Sequence, residues 1–336
     1  MSGASTLSGS GVSLDSIREA ARQLAGVALF TPMVRVAEGA WSGGTAPAGG
    51  AMPASLHLKC EQLQPIGAFK VRGAFTAIAR LAPEARGRGV VTSSSGNHGQ
   101  AVAWVARRFG IRSVVVMPES APAVKVGGVR RYGGEVVFAG ATRSPEQQAR
   151  AERFATDEGL AFIPPFDHPD VIAGQGTTGL EILDQLPLVR TVLVPVGGGG
   201  LLSGITTAIT ALRPGVDIIG VEPEGAPKLA AALAAGKPAT LPATASLADG
   251  LLTRAIGQLP WSLIAGKVRR AVGVSEEEIA VAVKTLFDRQ GLRVEPSGAV
   301  TVAALLSGKV RAEGPIVAVL TGGNVDQDLF ERLVTG

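Results

Sequence analysis

Cysteine is almost absent: Cys60 stands alone in 336 residues. No disulfide can form within the chain, and a cytoplasmic location is expected. Histidine is nearly as scarce. His57, His98 and His168 are far apart, which argues against a histidine-rich metal centre. The net charge is only +4, from 32 basic and 28 acidic side chains mixed along the sequence. Without a dense basic block interleaved with aromatics, nothing marks a nucleic-acid binder. No apolar run reaches membrane-spanning length free of glycine, proline or charge, so no membrane partner is expected. The opening MSGASTLSGSG lacks a basic region followed by an apolar one. Residues 1–11 therefore read as a flexible tail rather than an export signal.

What the chain has is apolar residues, 46% of the total, and 45 glycines. That suffices for a sizeable core with many tight turns, in two domains or one large one. Helical periodicity runs from Val12 to Ala25 and is broken at Thr31-Pro32; Gly39 to Pro53 reads as a loop anchored by Trp41. A short strand at Ser55 to Lys59 leads through the turn Pro65-Ile66-Gly67 to a helix at Val71 to Leu81.

From Gly89 to Pro165 strand and helix alternate with short connections, and the loop Ser93 to Gln100 follows the first strand. The pattern renews itself with a helix at Thr177 to Leu186, a strand at Thr191 to Pro195, a glycine turn and a helix at Leu201 to Leu212. Lys237 to Gln258 reads as mostly loop. Ser275, with Glu278 three places on, predicts the capped start of a helix to Gln290. Strands alternating with helices predict α/β architecture with open, mainly parallel sheets. Residues 89–165 are expected to form a smaller domain inserted into a larger one, made of 12–88 and 166–336.

Three stretches carry chemistry. Lys70 follows a bend and precedes a helix; its amine is either a solvent-facing helix start or a nucleophile able to form a Schiff base with an aldehyde. The turn Gly197-Gly198-Gly199-Gly200, between a strand and a helix, lets backbone amides converge on an anion at a helix N-terminus. It lacks the dinucleotide spacing and the Lys-Ser/Thr ending of a nucleotide loop, so a monophosphate fits better. The loop SSSGNHGQ occupies the same strand-end position. Its backbone amides around Ser94, Ser95, Asn97 and His98 could hold a substrate carboxylate.

These features together resemble the tryptophan synthase β-subunit type of pyridoxal phosphate enzymes, within it the threonine/serine dehydratase and serine racemase family. The matching stretches are LKCEQLQPIGAFKVRGA, SSSGNHGQ, MPESAPAVKVGGVRRYGGEVV, VIAGQGTTGLEI, VGGGGLLSG, GVEPEGAP, EPSGAV and TGGNVD. They run in the family's order from about Pro32 to Asp326. The resemblance implies pyridoxal 5'-phosphate held in the cleft between two domains, with Lys70 forming the Schiff base and serving as base at the substrate Cα. It further implies Phe69 beside the ring, Asn97 on the ring oxygen, Gly197, Gly198, Gly199 and Gly200 on the phosphate, and Thr321 facing the pyridine nitrogen. Glu295 would lie near the cofactor edge, and Ser95 would face the opposite side of Cα.

The implied reaction is loss of ammonia from a small hydroxy-amino acid: L-threonine to 2-oxobutyrate, or L-serine to pyruvate. Serine racemase and 3-hydroxyaspartate dehydratase are the alternatives, and a pyridoxal phosphate-binding amino-acid sensor is the non-enzymatic one. A homodimer is implied as well. The chain ends soon after TGGNVD, without room for a C-terminal regulatory domain, which suits a short catabolic type.

Three positions depart from the family's usual pattern. Ala68 replaces a serine beside the lysine, and Thr321 replaces the serine opposite the ring nitrogen. In the cation-activated members a divalent ion sits near GVEP; Glu222 and Ala226 match two of its ligands, but Lys228 takes the third place. An ammonium there would stand in for the ion, and metal independence is the expectation.

Overall fold

The computed structural model describes residues 11–37, 41, 55–141 and 145–335. The tail expected at 1–11, except Gly11, and the loop expected at 39–53, except Trp41, lie outside them; Trp41 itself is buried in the core.

Helix α1 (Leu14–Leu24) begins at Ser13, whose hydroxyl accepts the Ser16 N–H. Strand β1 (Met33–Arg35) pairs antiparallel with β2 (Leu56–Cys60). The lysine turn then opens α2 (Lys70–Ala79), and α3 (Pro83–Arg88) follows. Strands β3 (Val90–Ser93), β4 (Ser113–Met117), β5 (Glu135–Phe138) and β6 (Ala161–Phe162) alternate with α4 (Asn97–Phe109), α5 (Ala123–Arg131) and α6 (Pro145–Asp157). They build a parallel sheet in the order β5-β4-β3-β6.

Helix α7 (Pro169–Gln185) carries the chain back to β7 (Thr191–Pro195), α8 (Gly200–Leu212), β8 (Asp217–Pro223) and α9 (Lys228–Ala235). Then come α10 (Gln258–Ile264), β9 (Arg270–Val274), α11 (Glu276–Gln290), α12 (Pro296–Leu306), β10 (Ile316–Leu320) and α13 (Gln327–Thr335). The second sheet runs β1-β2-β10-β7-β8-β9 and is parallel except at the β1 edge. The fold is thus the expected α/β one, with two open, mainly parallel sheets in two domains.

Strands β7 and β10 are buried along their whole length because helices cover both faces of their sheet. The alternation of strand side chains divides the core. Ile316, Ala318 and Leu320 join the cluster built by α11 and α12, whereas Val317 and Val319 join Ile205 and Ile209 of α8. Helix α2 lies between the two sheets: Val71, Ala74 and Ile78 pack with Val102, Val105 and Ala106 of α4 and with Val90 of β3. This wedge places Lys70 at the junction.

Several element readings need correction. Helix α4 starts at Asn97, so Asn97 and His98 belong to its first turn and not to a loop. Helix α7 starts at Pro169 rather than Thr177, and α3, α10, β9 and α13 were not expected. The segment read as loop from Lys237 holds a single 3-10 turn at Asp249–Leu251.

Candidate active site

The lysine turn is fixed from far along the chain. Phe69 N–H donates to the Thr321 carbonyl at 3.1 Å, Gly323 N–H to the Gly67 carbonyl at 2.9 Å, and the Asn324 amide to the Ile66 carbonyl at 2.8 Å. Below it lies a buried ionic cluster. Arg72, in the first turn of α2, donates to both oxygens of Glu61 and to Glu181, and Lys59 donates to Glu181 as well. Burial works against the Arg72 charge, yet the Glu61 and Glu181 carboxylates together outweigh it and raise the guanidinium pKa. Such a satisfied network holds the start of α2 rigidly. Lys70 Nζ rises from this base, donates to the Pro165 carbonyl at 2.6 Å and lies 5.1 Å from the centre of the Phe69 ring.

A cavity of about 250 Å³ opens over Lys70. Three strand ends meet there: Ser93 to Gly96 after β3 with Asn97 and His98 opening α4, Gly197 to Gly200 after β7, and Thr321 after β10. The carboxyl ends of parallel strands are where open α/β sheets bind ligands. Of the expected residues, Phe69, Lys70, Ser94, Ser95, Asn97, His98, Gly197 to Gly200, Glu295 and Thr321 all line this cavity; Glu222 and Ala226 do not.

The glycine turn is a cradle that larger residues would destroy. A Cβ on Gly198 would sink into the Phe166 ring, and Gly199, at φ +93°, would bring a Cβ within 2.9 Å of Pro260. Gly199 caps α8, so the first N–H groups of that helix, which have no acceptor within it, face the cavity end.

The SSSGN loop differs from expectation in detail. Ser94 Oγ accepts the N–H groups of Gly96 (3.2 Å) and Gly99 (3.0 Å), and its own N–H donates to the Val116 carbonyl. Ser94 therefore holds the turn, and its amide is not free for a carboxylate. His98 is buried with Nε2 3.0 Å from the Ile163 carbonyl. Burial, aided by the nearby Lys70 charge, lowers its pKa to about 3, so the ring is neutral and its side chain cannot serve as a carboxylate-binding cation. The Asn97 amide donates to Glu295 Oε1 at 2.6 Å and its oxygen accepts from Asn324 at 2.9 Å, leaving one N–H. Thr321 Oγ1 lies 3.5 Å from the Ser297 carbonyl.

The sequence reading missed a charged group in the wall. Lys125 of α5 is buried and places Nζ 2.5 Å from Asp249 Oδ2 and 3.5 Å from Glu295 Oε2. Burial opposes the Lys125 charge, but Glu295 and Asp249 together raise its pKa. Burial raises the Glu295 pKa too, with Lys125 acting against the rise. Phe166 and Ser297 were also missed: Phe166 meets the cavity from a segment without a sequence signature, and Ser297 from within EPSGAV, where only Glu295 was singled out.

Away from the cavity, Lys228 Nζ occupies the ground between the other two expected ligands. It donates to the Ala226 carbonyl at 2.8 Å and lies 3.6 Å from Glu222 Oε2. Glu222 also accepts the N–H groups of Leu229 and Ala230 at 2.8 and 2.9 Å. Two oxygens and an ammonium do not fit a hard divalent cation, which takes six or more oxygen ligands. Among the described residues no group of three or more His, Cys, Asp or Glu could hold a metal.

A lysine at a helix start, an anion cradle and a polar strand-end loop around one cavity define a class: α/β enzymes that carry a phosphorylated aldehyde cofactor. The family described as pyridoxal-phosphate dependent enzyme matches residues 31–322, and the chain belongs to it. Over 272 residues it is 47% identical to an L-threonine ammonia-lyase of Geobacter sulfurreducens, covering 81% of this chain and 67% of that protein. Over 324 residues it is 41% identical to an L-threonine ammonia-lyase of Thermotoga maritima, covering 96% and 78%. Among solved structures, maize serine racemase matches with a TM-score of 0.88 at 37% identity over 96% of each chain.

Proposed function

We propose that this protein is a pyridoxal phosphate-dependent ammonia-lyase that converts L-threonine to 2-oxobutyrate and L-serine to pyruvate, releasing ammonia. The observation that carries the reading is the convergence of Lys70, the Gly197 to Gly200 cradle and the Ser93 to His98 segment at the start of α4 on one cavity. The relatives named as L-threonine ammonia-lyases support the substrate class.

The residues present fit the cofactor. Lys70 would carry it, Gly197 to Gly200 would hold its phosphate, the free N–H of Asn97 would reach its ring oxygen, and Thr321 would face its nitrogen. When bound, it supplies a conjugated ring that takes up the electron pair left at the substrate Cα. The chain supplies the rest. The Lys70 amine, at the cavity floor, would take the Cα proton. The backbone amides of Ser95, Asn97 and His98 orient the carboxylate, with Ser94 bracing their turn. Thr321 offers a hydroxyl and no charge, so toward the cofactor's ring nitrogen it would supply a hydrogen-bonding group and no counter-charge for a bound proton. The neutral His98 takes no part in the proton transfers.

Racemisation is the second reading, because Ser95 lines the same cavity as Lys70 and could face the other side of Cα. A product profile with L-threonine, L-serine and L-threo-3-hydroxyaspartate separates the readings. Rapid formation of 2-oxo acid with little D-amino acid is expected; dominant D-serine would overturn the ammonia-lyase assignment.

The same reading extends to organisation. We assign residues 12–88 and 166–336 to a larger domain and 89–165 to a smaller inserted one, with the protein acting as a cytoplasmic homodimer. Lys228 takes the place of a divalent ion, so activity and thermal stability are expected to survive chelation. A clear loss on chelation would contradict this.

A further inference from the structure

Lys125 is a buried charge that the proposed chemistry leaves unused. It lies on α5, which flanks the smaller sheet, while both of its carboxylate partners come from segments that connect strands of the larger one, Asp249 between β8 and β9 and Glu295 between β9 and β10. Asp249 is 124 positions away in sequence. The other ion pairs of the smaller sheet's surroundings, Arg112 with Glu135 and with Glu158, stay within that unit. Glu295 faces the smaller-sheet side with both oxygens: Oε1 accepts a hydrogen bond from the Asn97 amide, and Oε2 lies 3.5 Å from the Lys125 ammonium with no hydrogen-bond partner of its own among the described residues. The Lys125 stem also lies against the substrate loop: a Cβ on Gly96 would stand 3.1 Å from Lys125 Cδ.

We propose that Lys125 is a positioning residue, a latch whose ammonium docks between Asp249 and Glu295 to hold the Ser93 to Asn97 loop closed over Lys70. The argument rests on where the partners sit and on the near-balance of buried ion pairs. Docking strips water from the Lys125 ammonium and Glu295, and in part from Asp249, and regains about as much from their attraction, so the closed state is held without being made irreversible. A methionine could fill the same space without desolvation cost; a lysine there makes closure depend on the opposite wall. Because the stem braces Gly96, docking also fixes the turn whose amides are to receive the substrate carboxylate. Opening returns the ammonium and Asp249 to water and frees that turn.

The test uses Lys125→Met, Lys125→Arg and Asp249→Asn in the cofactor-loaded protein. Hydrogen exchange is followed by mass spectrometry without substrate, and kcat and KM are measured with L-threonine. Loss of one charge-assisted contact predicts exchange at residues 94–98 about tenfold faster in Lys125→Met and Asp249→Asn, with β7 and β10 unchanged. KM for L-threonine rises about tenfold while kcat changes by less than about threefold, and Lys125→Arg recovers most of the loss. Unchanged exchange in Asp249→Asn would overturn the proposal, and so would acceleration spread evenly over both sheets, which marks a merely structural pair. Asp249→Asn decides the matter should Lys125→Met fail to fold. The kinetic arm rests on the ammonia-lyase reading, whereas the exchange arm does not. A wild type inert toward threonine would sink that reading alone and leave the latch to be judged by exchange.

Discussion

Replacing Lys228 with methionine removes one charge from a sealed site and keeps the length of the side chain. Lys228 and Glu222 are both buried, with Nζ 3.6 Å from the nearer carboxylate oxygen. Burial already pushes the Glu222 pKa up, and the Lys228 charge opposes that shift. In the variant the carboxylate keeps its two N–H donors from the first turn of α9 but loses its counter-charge. Removing one partner of a buried pair costs about 3–5 kcal/mol. The backbone donors and the positive end of α9 place the expected cost near the lower limit, about 3 kcal/mol. With an unfolding entropy of about 2.1 cal/mol/K per residue, a chain of 336 residues loses about 4 °C in thermal midpoint. The double variant Glu222→Gln with Lys228→Met, melted beside the single one, is expected to recover all but about 1 kcal/mol, since no unpaired charge remains. If the double variant melts no higher than the single one, charge compensation is not what Lys228 provides, and the explanation of metal independence falls with it.

His98 sets a pH slope on stability. Its folded pKa of about 3 lies below the ordinary 6.5, so the unfolded chain binds a proton that the folded one refuses, and stability falls as pH drops below 6.5. At pH 5.5 this loss amounts to about 1.4 kcal/mol, and urea titrations of His98→Gln are expected to lose less stability between neutral pH and pH 5.5 by that amount. A wild-type slope in the variant would show that His98 is not the buried neutral group. For the glycine cradle, Gly198→Ala is expected to weaken cofactor binding at least about tenfold, read by equilibrium dialysis, because the Phe166 ring must be displaced. Undiminished affinity would mean that the cradle does not hold the phosphate.

Much of this architecture is legible in the residues themselves. The alternating apolar runs of β4, β7 and β10 and the Ser275 and Glu278 cap of α11 lie where pattern and capping chemistry put them. The start of α7 is hidden because Gly174 and Gly176 look like loop residues. Their reason is tertiary: a Cβ on Gly174 would meet the Arg72 carbonyl of α2 at 2.5 Å and one on Gly176 the Gly204 carbonyl of α8 at 2.9 Å, so the glycines let α7 pack closely against both helices. Strand β9, RAVGV, is a partly exposed edge containing a glycine, and α10 has only seven residues; neither sustains a clear period. In the site, GAFK, the glycine turn and SSSGN announce themselves because special backbone demands special residues. Lys125 and Asp249 do not. Each reads as an ordinary surface charge, and only the meeting of the two sheets buries the lysine and pairs it.

The central claim is that Lys70 carries the cofactor. Reduction of the cofactor-loaded protein with borohydride, followed by proteolysis and mass spectrometry, tests it directly. The account predicts the pyridoxyl phosphate adduct on the peptide containing Lys70 and its absence from Lys70→Ala. An adduct on another lysine, or none on this peptide in a protein that holds the cofactor, would contradict it.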